Sequence, residues 1–232
     1  MDTYGLEKNR NLIDRIVYSF RKKNIQREGV YRSFDLLFSL VAMSLFVPIM
    51  LILALLIKIY SPKGSILFTQ RRVGLDGKLF NVYKFRTMIP HAEEKLNEMM
   101  LKDRVLKKEY ETFRKLKNDP RIIPYIGNFL RKSSLDELPQ FFNVFLGQMS
   151  IVGPRPYIEN EFNCYTYKLQ LRIVTSVKPG ITGYWQVIPE RHDTTFQSRV
   201  DTDIEYIEKK NFLLDLKIIV KTFSVMVLRK GA

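Results

Sequence analysis

The chain has 232 residues, with 38 Lys and Arg against 24 Asp and Glu, a formal net charge of +14. Hydrophobic residues make up 46% and aromatic residues 12%, which excludes wholesale disorder and supplies apolar mass for one large domain with appendages. A single cysteine, Cys164, excludes an internal disulfide framework or a cysteine-cluster metal site, and the two histidines, His91 and His192, lie too far apart in sequence to suggest a zinc centre.

The basic excess admits nucleic acid, an anionic membrane surface or a phosphorylated substrate as partner. Its placement discriminates among them. Residues 1–33 carry +4, residues 34–57 carry −1, residues 58–90 carry +6, and the remainder carries +5. Most of the net charge therefore flanks one apolar stretch.

In chain order, Leu6 to Phe20 places Leu12, Ile13, Ile16, Val17 and Phe20 on one helical face, with Asn11, Asp14, Arg15 and Ser19 opposite. That pattern reads as an amphipathic helix, either at a membrane interface or packed on the rest of the protein. Leu36 to Ile57 follows, 22 residues without a charge. As a straight helix it measures about 33 Å, enough to cross a hydrocarbon core. Pro48 near its middle removes a backbone donor and divides it into two short arms. Both flanks are basic, whereas a spanning helix usually concentrates Lys and Arg on its cytoplasmic side. Two-sided flanks point to a re-entrant segment that turns at Pro48; a proline-kinked spanning helix is the competing reading.

Residues 66–70 and 79–85 are rich in aromatic and β-branched side chains, and the Asp76-Gly77 step between them predicts a hairpin turn. His91 to Lys117 is charged and proline-free, which predicts an exposed helix, broken at Asp119-Pro120. Further helices are predicted over Tyr125–Arg131, Leu135–Leu146, Glu159–Arg172, Gln197–Lys209 and Phe212–Leu228. Ser150–Tyr157 reads as an extended piece with a proline-bounded turn, and Lys178-Pro179-Gly180 as a loop.

The densest chemical signal is Leu130-Arg131-Lys132-Ser133-Ser134-Leu135-Asp136-Glu137-Leu138-Pro139-Gln140. Ser134 and Glu137 have capping-box spacing. Asp136 would then sit in a first helical turn, where exposed N–H groups favour an ionised carboxylate and attract phosphate. Lys84 and Arg86 alternate along one predicted strand face, and Gly153-Pro154-Arg155-Pro156 fixes an arginine on a stiff turn. Arginine matches phosphate oxygens with two parallel donors. Taken singly, each motif is better read as a capped helix or a solvated surface charge, and their density near one another is what points to phosphate.

The segments FTQRRVG, KFRTM, DPRIIPYIGNFLRKSSLDELPQFFNVFLGQMSIVGPRP and KPGITGYWQV, with the proline-bearing apolar stretch, resemble the bacterial sugar transferases known as monotopic polyprenyl-phosphate phosphoglycosyl transferases. The resemblance runs from about Tyr31 to the C-terminus. Together with the residue patterns above, it gives the expectation of an α+β, mainly helical protein: an N-terminal amphipathic segment over 1–30, a proline-bent re-entrant membrane helix over 31–60, and a catalytic domain over 61–232 with interfacial helices and a small antiparallel hairpin. It implies transfer of a sugar-1-phosphate from a UDP-sugar to polyprenyl phosphate, with release of UMP, to initiate polysaccharide or glycoconjugate assembly.

By the same resemblance Asp136 is the nucleophile that forms a covalent phosphosugar-enzyme, Glu137 is its partner, and Mg2+ binds near Asp136 and the diphosphate. Arg131 corresponds to a phosphate-binding arginine, with Arg155, Lys84 and Arg86 as further candidates. The expected location is the bacterial inner membrane, among its lipids, with catalysis on the cytoplasmic face. Val47 stands where the family often has serine before the bending proline. The transferred sugar is left open, as is a homodimer through Phe212–Leu228. The alternative function is a membrane-anchored basic protein that binds nucleic acid or acidic polymer without catalysis; the absence of any nucleic-acid-binding motif argues against it.

Overall fold

The computed structural model describes residues 17–19, 28–113, 116–164, 168–188 and 195–228. Most of the predicted amphipathic segment before residue 28, and His192, lie outside them.

The apolar stretch forms one helix, α1 (Glu28–Tyr60), with Pro48 inside it. At 1.5 Å per residue it is about 50 Å long. It is the one helix among the described residues long and apolar enough to cross a membrane. Leu37, Leu40, Val41, Leu45, Leu51, Ile52 and Leu55 are all exposed along it. A surface this apolar suits lipid better than water.

The predicted hairpin is present as β1 (Leu67–Val73) and β2 (Leu79–Phe85). Asp76 (φ 56°) and Gly77 (φ 76°) both take left-handed backbone at its tip, as Asp-Gly turns favour. The predicted exposed helix is two, α2 (Ala92–Lys102) and α3 (Arg104–Phe113). The break falls at Asp103, whose carboxylate accepts from the Val105 and Leu106 amides at 2.8 and 3.1 Å. A side-chain cap has restarted the helix there. Next come α4 (Ile126–Ser133), a 3₁₀ turn over Leu135–Glu137, and α5 (Gln140–Phe145).

Short strands β3 (Ser150–Val152) and β4 (Tyr157–Ile158) bracket the proline turn, and helices α6 (Glu159–Cys164) and α7 (Lys168–Val174) follow. The predicted loop at Lys178-Pro179-Gly180 leads directly into β5 (Gly180–Thr182). A 3₁₀ turn at Trp185–Val187, then α8 (Phe196–Lys209) and α9 (Phe212–Leu228) complete the chain. The sheet order is β2-β1-β4, with Arg72 opposite Ile158 in an antiparallel pair. A second, parallel pair joins β3 to β5, with Ser150 opposite Gly180. That pair has a non-local partner, so periodicity gave no sign of it.

The chain folds as two compact units with interleaved sequence. The first combines Met1–Leu45, Thr69–Tyr83 and Gln140–Lys230. Its core gathers Val144, Met149, Val152, Tyr206, Ile207 and Ile218, all nearly inaccessible to solvent. Asn143 fixes α5 there: its amide donates to the Asn81 carbonyl at 2.7 Å, and its side-chain oxygen accepts from the Tyr83 amide at 3.0 Å. Arg32 of α1 donates to the last carbonyls of α5, Val144 and Phe145, at 2.7 and 2.8 Å, where a helix has unmet acceptors.

Asp35, buried on α1, accepts from the Ser150 hydroxyl and the Ile151 amide at 3.0 and 2.9 Å. One carboxylate thus ties the apolar helix to β3 within the first unit. The second unit combines Phe46–Phe68 and Lys84–Pro139, and its buried residues include Phe85, Leu96, Ile123, Ile126 and Leu130.

Candidate active site

The second unit holds Asp136, Glu137, Lys84, Arg86 and Arg131. The chain reaches Asp136 through a strained corner. Ser134 closes α4 in the left-handed region, at φ 57° and ψ 16°, a conformation disfavoured for residues with a Cβ. Strain of this kind is kept where the surrounding structure enforces it, commonly at functional sites. The Ser134 carbonyl then accepts from the Glu137 amide at 3.1 Å, closing the 3₁₀ turn that carries the dyad. Pro139 stands just before α5, where a missing N–H costs nothing.

This geometry corrects two expectations. The Ser134 side chain makes no capping bond, so the capping-box spacing does not form a capping box. The Glu137 carboxylate instead meets the Lys84 ammonium at 2.6 Å, both partly buried. The helix-end field expected to favour ionised Asp136 is also outweighed. Burial pushes its pKa up to about 6; Lys84 opposes the rise, the like charge of Glu137 adds to it, and Arg131 opposes it. A three-residue turn has too few aligned dipoles to offset that desolvation.

The basic residues divide. Arg131 donates through Nε to the Thr87 hydroxyl at 2.9 Å, and its charge acts on Asp136. Arg86 is buried and its guanidinium is spent on the protein itself. It donates to the Ser61 carbonyl (2.8 Å), the Ser61 hydroxyl (2.8 Å), the Met88 carbonyl (3.0 Å) and the Ser65 carbonyl. Ser61 immediately follows α1, so Arg86 closes the end of that helix, whereas Lys84, two residues earlier on β2, is paired with Glu137.

Arg155 belongs to the first unit. There the GPRP turn is stitched to β5: the Gly153 amide donates to Thr182 O, and the Gly180 amide to Pro154 O, each at 2.9 Å. A Cβ on either glycine would strike the backbone of the other segment. Arg155 acts electrostatically on buried Asp203, which accepts from the Tyr157 hydroxyl. The Arg199 guanidinium lies over the rings of Phe196 (4.7 Å), Tyr157 (4.8 Å) and Trp185 (5.6 Å).

Three residues around Arg131 have no role assigned from the sequence: Asp119, Arg121 and Thr87. Asp119 and Arg121 form a buried two-point ion pair at 2.8 and 2.6 Å, and the charges of both reach Arg131. Asp119-Pro120 signalled only a helix break; an acid and a base two residues apart across a proline was the available clue. Thr87 sat in the KFRTM motif without an assigned role.

The profile described as bacterial sugar transferase matches residues 26–229. The chain belongs to that family. An exopolysaccharide production protein, ExoY, of Rhizobium meliloti is 40% identical over 201 residues, covering 87% of each chain. The undecaprenyl-phosphate galactose phosphotransferase of Salmonella typhimurium is also 40% identical, over 87% of this chain and 41% of its own length. The UDP-glucose:undecaprenyl-phosphate glucose-1-phosphate transferase of Escherichia coli is 37% identical, again over 87% and 41%. The dyad, the Lys84 and Arg131 cations and the α1 helix of this sugar transferase all fall inside the matched region.

Among the described residues no three His, Cys, Asp or Glu side chains gather as a metal cage. That is compatible with Mg2+, which is commonly held by one or two carboxylates together with substrate phosphates. Asp136 is a carboxylate of that kind; Glu137 is already engaged by Lys84.

Proposed function

We propose that this sugar transferase moves a sugar-1-phosphate from a UDP-sugar to polyprenyl phosphate through a covalent intermediate on Asp136. The observation that carries this reading is a half-buried carboxylate, its pKa raised to about 6, within the fields of Lys84 and Arg131. A carboxylate stripped of water is a better nucleophile, and flanking cations lower its repulsion from a diphosphate. In the first step an Asp136 oxygen attacks the sugar-linked phosphorus. The bond to the bridging oxygen breaks, and UMP leaves with that oxygen.

In the second step a phosphate oxygen of the polyprenyl carrier attacks the same phosphorus and restores the Asp136 carboxylate. Arg131, with its Nε held on Thr87, offers its remaining guanidinium donors to phosphate oxygens. Lys84 pairs with the Glu137 carboxylate at 2.6 Å, so one charge of the dyad is compensated within the protein. Mg2+ bound at Asp136 and the diphosphate would supply charge neutralisation of the substrate.

The acceptor is a membrane lipid, and α1 suits it. We read α1 as entering one leaflet and returning at Pro48, which leaves both basic flanks and the catalytic residues on the cytoplasmic face. Single cysteines introduced as Glu28→Cys and Lys63→Cys, on a Cys164→Ser background, test this: both should label from the cytoplasmic side, and labelling from opposite sides would contradict the re-entrant reading. The activity is tested by Asp136→Asn, which should stay membrane-bound while losing UMP release by at least about a thousandfold. Near-normal turnover in that variant would overturn the nucleophile assignment. A panel of UDP-sugars, assayed with and without Mg2+, identifies the sugar.

A further inference from the structure

The Arg131 guanidinium is anchored by one atom and open at the others. Its Nε donates to the Thr87 hydroxyl at 2.9 Å, and among the described residues its two terminal nitrogens make no hydrogen bond. Thr87 is itself buried and fixed from several directions. Its carbonyl accepts from the Ile123 amide at 2.9 Å, and the next residue, Met88, forms an antiparallel bridge with Ile122.

Gly127, in the first turn of α4, lies against it so closely that a Cβ there would come within 2.6 Å of the Thr87 carbonyl oxygen. The backbone that carries the hydroxyl is thereby clamped onto the helix that carries Arg131. The Asp119–Arg121 pair completes the surroundings. Burial weighs against the charged form of Arg131, Asp119 and Asp136 favour it, and Arg121 opposes it.

We propose that Thr87 is a positioning residue of this transferase: its hydroxyl sets the plane of the Arg131 guanidinium so that the two free nitrogens face the substrate diphosphate. The proposal rests on the reading of Arg131 as a phosphate contact given above. A guanidinium pinned at Nε keeps a fixed fork direction, and a fork binds two phosphate oxygens only when its plane is right. Without the pin the side chain samples other rotamers, and the ordering is deferred to the moment of binding. Thr87 touches neither substrate nor reacting atoms.

The test is steady-state UMP release by the full-length, detergent-solubilised protein with its best UDP-sugar and polyprenyl phosphate. Thr87→Val keeps the shape and removes the acceptor; it should raise KM for the UDP-sugar about tenfold and change kcat by less than about threefold. Thr87→Ser restores a hydroxyl and should return KM to within about twofold of the parent. On an Arg131→Ala background, Thr87→Val should add nothing further, because nothing remains to position.

A fallen kcat with unchanged KM, or a full additional loss on the Arg131→Ala background, would overturn the proposal. If Thr87→Val does not fold, Thr87→Cys, similar in size and a weak acceptor, must show the same KM rise, and a parental KM there overturns the proposal equally. Wild-type KM in Arg131→Ala itself would instead remove the phosphate-binding reading beneath it. Wild-type KM in Thr87→Val alongside a raised KM in Arg131→Ala would remove only the role of Thr87.

Discussion

The acid limb of the pH–rate profile follows from the burial of Asp136. An ordinary aspartate, with its pKa of 3.8, is ionised throughout the working range of an enzyme; Asp136 is raised to about 6. A group with that value is about nine-tenths ionised at pH 7 and about one-tenth ionised at pH 5. If the ionised form is the nucleophile, kcat/KM for the UDP-sugar, which reports the free enzyme, should fall about tenfold per unit below pH 6. Lys84→Met sharpens the test. It removes the largest favourable charge acting on Asp136, which raises the Asp136 pKa.

The limb should then move to higher pH, whatever happens to the height of the plateau. UMP release, followed from pH 4.5 to 8.5 at saturating polyprenyl phosphate, gives both curves. A wild-type rate that holds level down to pH 4.5, or a limb that Lys84→Met leaves in place, would refute the reasoning.

Other consequences concern stability. Asp203 is almost fully buried and its pKa is raised to about 7 by that burial, against the pull of Tyr157, Arg199 and Arg155. The folded state therefore holds its proton between about pH 4 and 7, and folding loses up to about 4 kcal/mol as pH rises through that window. Asp203→Asn, which keeps an acceptor for Tyr157, should raise the unfolding temperature at pH 8 and change it little at pH 4; a loss at pH 8 would contradict the assignment. Arg86→Met leaves the carbonyls of Ser61, Ser65 and Met88 without their donor and should cost about 3 kcal/mol in denaturant unfolding, with no rescue by Arg86→Lys, which lacks the fork. Gly153→Ala places a methyl group against the Pro179-Gly180 backbone and should destabilise the first unit by about 2 kcal/mol or more; an unchanged midpoint would refute the close approach.

How far the sequence announced this arrangement differs from residue to residue. The hairpin, the α1 helix and α9 follow from local chemistry: an Asp-Gly turn, a charge-free run, an apolar periodic stretch. The β3–β5 pairing does not, because Ser150 and Gly180 meet only through a long connection. At the site, the dyad and Arg131 stand in one conspicuous motif, yet the local inference drawn from it failed. Ser134-x-x-Glu137 has the spacing of a cap, but Lys84, distant in sequence, supplies a stronger partner for the Glu137 carboxylate.

The same limit applied to Arg86. Alternation along β2 is visible, but the Ser61 and Ser65 groups that consume its guanidinium are brought to it by tertiary structure. The raised pKa of Asp136 is likewise a property of packing, which the residues around it in sequence do not reveal.

The central claim is that Asp136 carries the phosphosugar. Incubation of the protein with its UDP-sugar in the absence of polyprenyl phosphate, followed by rapid acid quench and peptide mass spectrometry, tests it directly. The account predicts a mass increase equal to one sugar-phosphate on the peptide containing Asp136, absent in Asp136→Asn and discharged when polyprenyl phosphate is added before the quench. UMP release that requires the lipid from the first turnover, with no adduct on that peptide, would contradict it.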